Sequence, residues 1–256
     1  MTPLLATVRG SFAQTRSNYR ALLSHMAIMV VNDMVWVVFW VIFFRRTGTV
    51  RGWNIDRVLL LQAMLTTSGG VVLGFLSNAR RIGLLVANRE LDALLALPVA
   101  PLPHLLVRRI DAVNLGDFVF GIGLFVIACS PTPQRTAIFI GGVLAATTLL
   151  TGYLVATGSL AFFAGKGEAG ELGFHSMLLF AAYPADIFSG AGKAILYTAV
   201  PAAFVAAAPS SLVDSFDGSD AAVMVFAAAF FAFAGWAVFT LGLRRYTGSS
   251  GAWTGK

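Results

Sequence analysis

Long apolar runs separated by short polar segments make up most of this chain. A helix needs about 20 apolar residues to cross the hydrocarbon core of a bilayer. Runs of roughly that length predict five membrane-spanning helices, at 22–44, 58–77, 112–130, 136–164 and 221–243. The pattern therefore predicts an all-α integral membrane protein.

Prolines interrupt the remaining apolar region, 172–213, so its path is not set by length alone. Pro201 and Pro209 stand within its second half. Two arrangements fit the pattern. Either 172–190 and 193–208 both cross the membrane, or the first crosses and the second dips in and returns on the same side. Irregular backbone at membrane depth is tolerated where protein buries it.

The distribution of charge favours the second arrangement. With six spans and a cytoplasmic N-terminus, most of the 18 lysines and arginines lie on the inner side. A seventh span would move Arg244 and Arg245 outside, although basic residues prefer the cytoplasmic side. We therefore predict six transmembrane helices, with both termini cytoplasmic and an outer-leaflet re-entrant segment between spans five and six. The outer basic cluster at 45–57 runs against this rule.

The predicted topology gives a single membrane domain with polar flanks. The first 20 residues combine apolar residues with arginines, which is typical of a helix lying on the cytoplasmic surface. A frayed terminus is the alternative. The predicted organisation is an interfacial helix at 1–20, a six-span domain at 21–247 with a cytoplasmic coupling loop at 78–111 and an extracellular re-entrant region at 184–220, and a cytoplasmic tail at 248–256.

Composition supports the membrane assignment and excludes several other classes. Hydrophobic residues make up 57% of the chain. Charged residues make up 12%, whereas they make up roughly a quarter of a typical soluble protein. The net charge is +6, but the arginines stand at the ends of apolar runs, so no nucleic acid partner is expected. The lone Cys129 gives no disulfide framework, and no metal site is expected.

Two glycine-rich stretches look like nucleotide-binding motifs but lack the context that such motifs need. GKGEAG at 165–170 matches the dinucleotide fingerprint, which requires a preceding strand and a following helix in a βαβ unit. SGAGKA at 189–194 lacks the first glycine and the Ser or Thr of a phosphate-binding loop. We therefore expect no cofactor on this chain and no catalytic activity of its own.

The segment 88–111 is polar and rich in proline, although apolar runs flank it. Leu91, Leu94 and Leu95 share one face, which predicts a short amphipathic helix with Asn88 as its N-cap. Three prolines are expected to end this helix: Pro98, Pro101 and Pro103. So short a helix needs a surface to lie on. It is either a helix among lipid headgroups or a coupling helix that docks on a cytoplasmic motor.

Polar side chains within the predicted spans are costly in lipid and therefore informative. Asn32 and Asp33 lie midway along the first span, and Asp117 lies in the third. Such a group either faces a substrate pathway or has a structural role, as a hydrogen bond to a neighbouring helix or as a protonated carboxyl. Both interpretations stay open for Asp33. For Asp117 the structural role is favoured, since Asp117 could pair with Arg108 or Arg109 near the inner surface.

Four segments carry a family resemblance, and they occur in a fixed order along the chain. They are ELDALLALPVAPLPHLLVRRID at 90–111, YPADIF at 183–188, VPAAFVAAAPSSLV at 200–213 and GLRRYTGSSG at 242–251. Together with the six predicted spans they resemble the permease subunits of ABC-2-type ATP-binding-cassette transporters. Within this family, the chain most resembles permeases that usually occur as two related subunits together with one kind of ATPase subunit.

The resemblance implies an ATP-driven exporter in the bacterial cytoplasmic membrane that moves amphiphilic or hydrophobic small molecules, such as drug-like compounds or lipids. ATP and Mg²⁺ would be bound by two copies of a separate ATPase subunit. The second permease would be a related paralogue or another copy of this chain. The acidic stretch DSFDGSD at 214–220 departs from the family pattern, and no role is assigned to it.

The resemblance also implies two sets of functional residues. In this family the first cytoplasmic loop transmits the motion of the ATPase, and a second, shorter loop matches 165–173. The implied ATPase-coupling residues are Arg89, Glu90, Leu91, Asp92, Leu94, Leu95, Pro98, Gly165, Lys166, Glu168 and Glu171. Spans one, two and five would line a central path, with the candidate substrate-pathway residues Asn32, Asp33, Trp36, Phe39, Thr66, Thr67, Met177 and Phe180.

Two other functional classes stay open. A secondary carrier or channel would move its substrate along an ion gradient without any ATPase partner. A non-transporting membrane anchor or scaffold would show no dependence on Asn32 or Asp33.

Overall fold

A computed structural model describes residues 3–16, 19–165 and 167–251, and this part of the chain is almost entirely helical, without strands. The helices are α1 (Pro3–Arg16), α2 (Tyr19–Thr47), α3 (Ile55–Gly70), α4 (Ile82–Ala87), α5 (Asp92–Leu95), α6 (Pro101–Val107), α7 (Leu115–Ala128), α8 (Pro133–Ser159), α9 (Ala161–Ala164), α10 (Glu168–Ala181), α11 (Gly190–Tyr197), α12 (Ala207–Asp214) and α13 (Gly218–Gly251). A π-helical turn (Val71–Phe75) extends α3, and 3₁₀ turns connect other helices at Ser77–Ala79, Ala185–Ile187 and Ala202–Phe204.

Several of these helices have the length and composition of membrane spans. Four stretches qualify: Tyr19–Thr47, Ile55–Phe75, Pro133–Ala164 and Gly218–Tyr246. They coincide with the predicted spans one, two, four and six. A fifth candidate is the pair of α11 and α12, which is bent by 59°. The helices α7 and α10, within the predicted spans three and five, have 14 residues each. The chain is therefore a multi-pass membrane protein.

Polar contacts gather at two opposite ends of the helical bundle. At one end the Tyr246 hydroxyl donates to the Asp92 carboxylate, close to α1, α5 and α6. At the other end the Trp53 indole N–H donates to Asp186 at 3.2 Å. We call these the α1 end and the Trp53 end. The helices α2, α3, α7, α8, α10 and α13 run between them.

The bent pair of α11 and α12 begins and ends at the Trp53 end. Lys193, near its start, forms an ion pair there, and Asp214, at its finish, pairs with Arg57 at 2.9 Å. Between these anchors the backbone reaches inward, and the Val205 carbonyl oxygen lies 3.5 Å from the Ser68 hydroxyl of α3. Both ends of this bent pair are therefore tied to the Trp53 end, while its middle packs on α3.

The helix α3 lies at the centre of the bundle, and most of its residues are buried. Its buried Thr67 and Ser68 hydroxyls donate to carbonyl oxygens one turn earlier in the helix, at 2.7 Å each. Such bonds satisfy polar side chains without a partner helix. The helix α3 can therefore carry these hydroxyl groups into an apolar core.

Glycines allow the backbones of α8 and α13 to touch. A Cβ atom on Gly152 would lie 2.3 Å from the Phe231 carbonyl oxygen, and one on Gly235 would lie 2.4 Å from the Gly152 carbonyl oxygen. Small residues bring membrane helices close in this way, because dispersion contacts between helices then replace contacts with lipid. The crossing of α8 and α13 therefore depends on these two positions.

Candidate functional site

Three segments that are distant in sequence meet at the α1 end. Asp92, in the loop between α4 and α6, accepts a hydrogen bond from Tyr246, 154 residues later in α13. The Tyr246 ring packs on Phe162 with 5.6 Å between ring centroids, and Phe162 packs on Phe239 at 5.7 Å. The first loop, the region before the second loop and the last turns of α13 therefore form one unit.

The leucines of the first loop face the protein core. Leu91 is 1% exposed and Leu94 is 3% exposed, and both pack in a cluster with Ile82, Phe162 and Phe239. Leu95 is partly buried against the same cluster. This corrects the expectation that the apolar face of the loop docks on a motor, because the chain's own side chains already cover Leu91 and Leu94.

The local structure around Asn88 also differs from the prediction. Asn88 ends α4 as its C-cap and does not cap α5, whose N-cap is Leu91. Arg89 follows with φ of 59°, and the Glu90 N–H donates to the Leu85 carbonyl oxygen at 2.9 Å. This is the bonding pattern of a helix that ends in a left-handed residue, a position that glycine usually occupies. The turn therefore holds Arg89 in a backbone conformation that costs about 1 kcal/mol for a residue with a side chain.

The loop contains two short helices where one amphipathic helix was predicted. The helix α5 is a single turn that ends at Leu95, before Pro98. Pro101 does not end a helix but begins α6, at a first-turn position whose N–H would have no partner in any case. The exposed residues of this loop include Arg89, Glu90, Asp92, Leu97 and Pro98. They form the surface that remains available to a partner, and we call it the loop surface.

The second loop packs on α4 through glycines. A Cβ atom on Gly83 would lie 2.5 Å from the Gly167 carbonyl oxygen, and one on Gly170 would lie 3.0 Å from the Gly158 Cα. Gly165, which ends α9, has φ of 69°. The glycines of GKGEAG are therefore explained by a tight turn and by close backbone packing.

The charged residues of the second loop surround a recess beside α4. Glu168 is exposed and Glu171 is half-buried, and both line a cavity of about 580 Å³ together with Arg80, Arg81 and His175. Lys166, the remaining predicted coupling residue of this loop, lies outside the described residues. The two predicted coupling segments thus both pack with α4.

Sequence reasoning missed the contacts that hold the first loop in place. Arg80 forms an ion pair with Asp111 at 3.3 Å and lies over the Phe174 ring at 5.4 Å. The buried Asn78 side chain donates to the Leu105 carbonyl oxygen at 2.8 Å. In the sequence, Arg80 cannot be distinguished from other arginines at the ends of apolar runs. Its contacts with Asp111 and Phe174 could therefore be identified only from the fold.

Part of the predicted substrate pathway lies on an exposed face of α2. Asn32, Trp36 and Phe39 are exposed, within a helix that is largely uncovered by the rest of the chain. Trp36 contacts Tyr183, which follows α10, with 6.3 Å between ring centroids. Phe180, near the end of α10, is half-buried. These residues lie at the outside of the single chain and do not enclose a path within it.

Asp33 and Asp117 lie beside each other between α2 and α7. Asp33 is 6% exposed and Asp117 is 7% exposed, and the two carboxyl groups are neighbours. Neither Asp33 Oδ2 nor Asp117 Oδ1 has a hydrogen-bond partner among the described residues. Among the described residues no ion pair joins Asp117 to Arg108 or Arg109, which corrects the expectation from the sequence.

The other predicted pathway residues lie inside the bundle. Thr66 and Thr67 face α7, where a Cβ atom on Gly121 would lie 2.6 and 2.3 Å from their hydroxyl oxygens. Met177 is fully buried in the largest core cluster. The structure therefore separates these three residues from the exposed face of α2.

The Trp53 end is held together by a small polar network. The Asp186 carboxylate accepts from Lys193 at 2.7 Å and from the Trp53 indole, while Arg51 donates to the Asp186 carbonyl oxygen at 2.9 Å. The hydrogen bond from Lys193, more than any other contact, holds the pKa of Asp186 below its usual range. Because the folded state lowers this pKa, the contact stabilises the fold at neutral pH and is lost as the pH falls through the folded value.

Comparisons with known proteins give one result. No curated protein and no solved structure matches the chain. The family described as "ABC-2 family transporter protein" matches residues 30–250 of the 256, which include α3 to α12 and most of α2 and α13. The chain therefore belongs to the ABC-2 family of transporter proteins.

Proposed function

We propose that this chain is the permease subunit of an ATP-driven exporter that moves amphiphilic or hydrophobic small molecules across the bacterial cytoplasmic membrane. Family membership supports a permease. The observation that carries the coupling mechanism is the convergence of both predicted coupling segments and the end of α13 at the α1 end. Two copies of a separate ATPase subunit would bind there and supply ATP hydrolysis, and the permease itself would not be catalytic.

The proposed topology has six spans, with both termini and the α1 end in the cytoplasm. Six helices run between the two ends, and the bent pair of α11 and α12 returns to the Trp53 end as a re-entrant segment does. The arginines of 80–81, 89, 108–109 and 244–245 belong to segments at the α1 end, which agrees with the preference of basic residues for the cytoplasm. The helices α7 and α10 are short, so a locally thinned bilayer would accommodate them.

A second permease would cover the exposed face of α2. Asn32 lies mid-helix on that face, and an amide exposed to lipid is costly unless another chain supplies a hydrogen-bond partner. The aromatic residues Trp36 and Phe39 beside it offer a stacking surface for amphiphilic cargo. In this arrangement the substrate path forms between two permeases, which explains why a single chain does not enclose one.

In the proposed mechanism the loop surface receives the motion of the ATPase. Because Leu91 and Leu94 are buried with Phe162 and Phe239, a push on the loop moves α5, α9 and α13 together. The Asp92–Tyr246 bond joins the loop to α13 directly. The close crossing at Gly152 and Gly235 then carries the displacement from α13 to α8.

Replacing Tyr246 by Phe tests this mechanism. The change keeps the ring on Phe162 and removes only the hydroxyl that bonds to Asp92. We expect ATP-driven transport in proteoliposomes to fall by about fivefold, because the hydrogen bond contributes about 1 kcal/mol. Membrane accumulation and ATPase binding should stay unchanged.

Tyr19→Phe is the matched control, because Tyr19 is an exposed tyrosine at the start of α2. If both variants transported as fast as the wild-type chain, the hydrogen bond between Asp92 and Tyr246 would have no role in coupling. Transport that follows an ion gradient in vesicles without any ATPase would instead support the secondary carrier.

A further inference from the structure

A cleft of about 820 Å³ opens at the α1 end between α1, the start of α2 and the first loop. Its volume lies within the range of pockets that hold small ligands. Apolar side chains form part of the lining, among them Leu22, Leu85, Leu105 and Ile110. Basic side chains form another part: His25, Arg81, Arg108 and Arg109. The lining of the cleft therefore combines apolar and basic side chains.

The cleft keeps an excess of positive charge. Among the described residues that line it, Glu90 is the only one with a carboxylate. In the described part of the chain, no carboxylate forms an ion pair with the cleft arginines, whereas their neighbour Arg80 is paired with Asp111. Arginines without an acidic partner among the described residues are available to an anionic ligand.

Buried side chains hold the backbone that carries Arg108 and Arg109. The Ser11 hydroxyl of α1 lies 3.0 Å from the Val107 carbonyl oxygen and 2.9 Å from that of Arg108. The Ser77 hydroxyl donates to the Arg109 carbonyl oxygen at 2.8 Å. These bonds hold the backbone that carries the two adjacent arginines before any ligand arrives, which reduces the entropic cost of binding.

We propose that this cleft binds the phosphate headgroup of an anionic phospholipid. A guanidinium group matches a phosphate with two parallel hydrogen bonds, and basic pockets between helices at a cytoplasmic surface are suited to lipid headgroups. The apolar walls favour a lipid over free phosphate, because they can cover the first carbons of the acyl chains. The inference rests on the proposed cytoplasmic position of the α1 end.

Binding of short-chain phosphatidylglycerol to the purified full-length chain in neutral detergent tests the proposal. Native mass spectrometry would follow the lipid, with phosphatidylcholine of the same chain length and inorganic phosphate as separate probes. We expect Arg108→Gln/Arg109→Gln to raise the Kd for phosphatidylglycerol about 25-fold, since each arginine near an anionic lipid changes affinity about fivefold. Glu90→Gln should lower that Kd about fivefold, because it removes the carboxylate that lines the cleft.

Arg45→Gln/Arg46→Gln is the matched control, because these are also adjacent exposed arginines but belong to the far end of α2. Its Kd should stay within about twofold of the wild-type value. An equal loss in both double variants would show non-specific attraction and overturn the proposal. The Glu90→Gln result does not depend on the arginine variants folding, and unchanged affinity there would also contradict it.

Two further outcomes would assign the cleft to a different ligand. Inorganic phosphate that binds as tightly as phosphatidylglycerol would make it a free-anion site. Loss of ATPase binding in Arg108→Gln/Arg109→Gln, with unchanged lipid binding, would make it a protein-docking site. Either result would overturn the lipid proposal. Lipid binding is measured on the permease alone, without an ATPase and without transport. Failure to bind the lipid would therefore not contradict the assignment of the chain as a permease.

Discussion

Replacing Leu94 by Asp is expected to abolish accumulation of the folded protein, whereas replacing Leu97 by Asp is not. Leu94 is 3% exposed and packs in the cluster that joins the first loop to α9 and α13. A carboxylate there would be buried without a partner, and the lost leucine packing alone costs about 2–5 kcal/mol. This sum approaches the whole stability of a typical domain, about 5–15 kcal/mol.

Leu97 is the matched control, because it lies in the same loop and is 50% exposed. Both variants introduce the same charge, so only burial differs between them. Size-exclusion profiles and the amount of protein in the membrane would measure the difference. If Leu94→Asp accumulated normally and lost only ATPase coupling, Leu94 would face a partner and the packing described above would be wrong.

Replacing Gly152 by Ala is expected to destabilise the protein by about 3 kcal/mol, while the same change at Gly141 is not. A Cβ atom on Gly152 would lie 2.3 Å from a carbonyl oxygen of α13, and neither backbone can move without separating the helices. Gly141 lies on the same helix, α8, and a Cβ atom there meets nothing within 4 Å. Alanine at Gly141 should stabilise the helix slightly, because it has the higher helix propensity.

Cys129 provides a built-in measurement for this pair of variants. It is the single cysteine of the chain and is buried, so a thiol-reactive fluorophore reaches it only when the protein opens. On heating, Gly152→Ala should react at a lower temperature than the wild-type chain, and Gly141→Ala at the same or a higher one. Identical transitions in the two variants would show that α8 and α13 do not cross at Gly152.

The sequence predicted the long apolar helices well, because hydrophobic runs report directly on contact with lipid. Four helices long and apolar enough to cross a membrane lie where four of the spans were predicted. The period of Leu91, Leu94 and Leu95 correctly indicated an apolar face. It could not tell whether a partner or the chain itself covers that face, since Phe162 and Phe239 are distant in sequence.

Contacts between distant residues were beyond prediction for the same reason. Nothing near Asp92 indicates Tyr246, and nothing near Asp117 indicates Asp33. For Asp117 the sequence favoured an arginine close along the chain, because local spacing is the only distance that a single sequence provides. The glycines of the second loop could be excluded as a nucleotide site, but their packing on Gly83 required the fold.

The central claim is that an ATPase docks on the loop surface at the α1 end, and site-directed cross-linking tests it most directly. Leu97→Cys and Ile187→Cys would be made in a Cys129→Ala background, and each would be co-expressed with its ATPase. Leu97 and Ile187 are similarly exposed, at 50% and 46%, but Ile187 belongs to the Trp53 end. A short thiol-to-amine cross-linker should join the permease to the ATPase from position 97 and not from position 187. Cross-linking from position 187, or from neither position in an intact complex, would contradict the account.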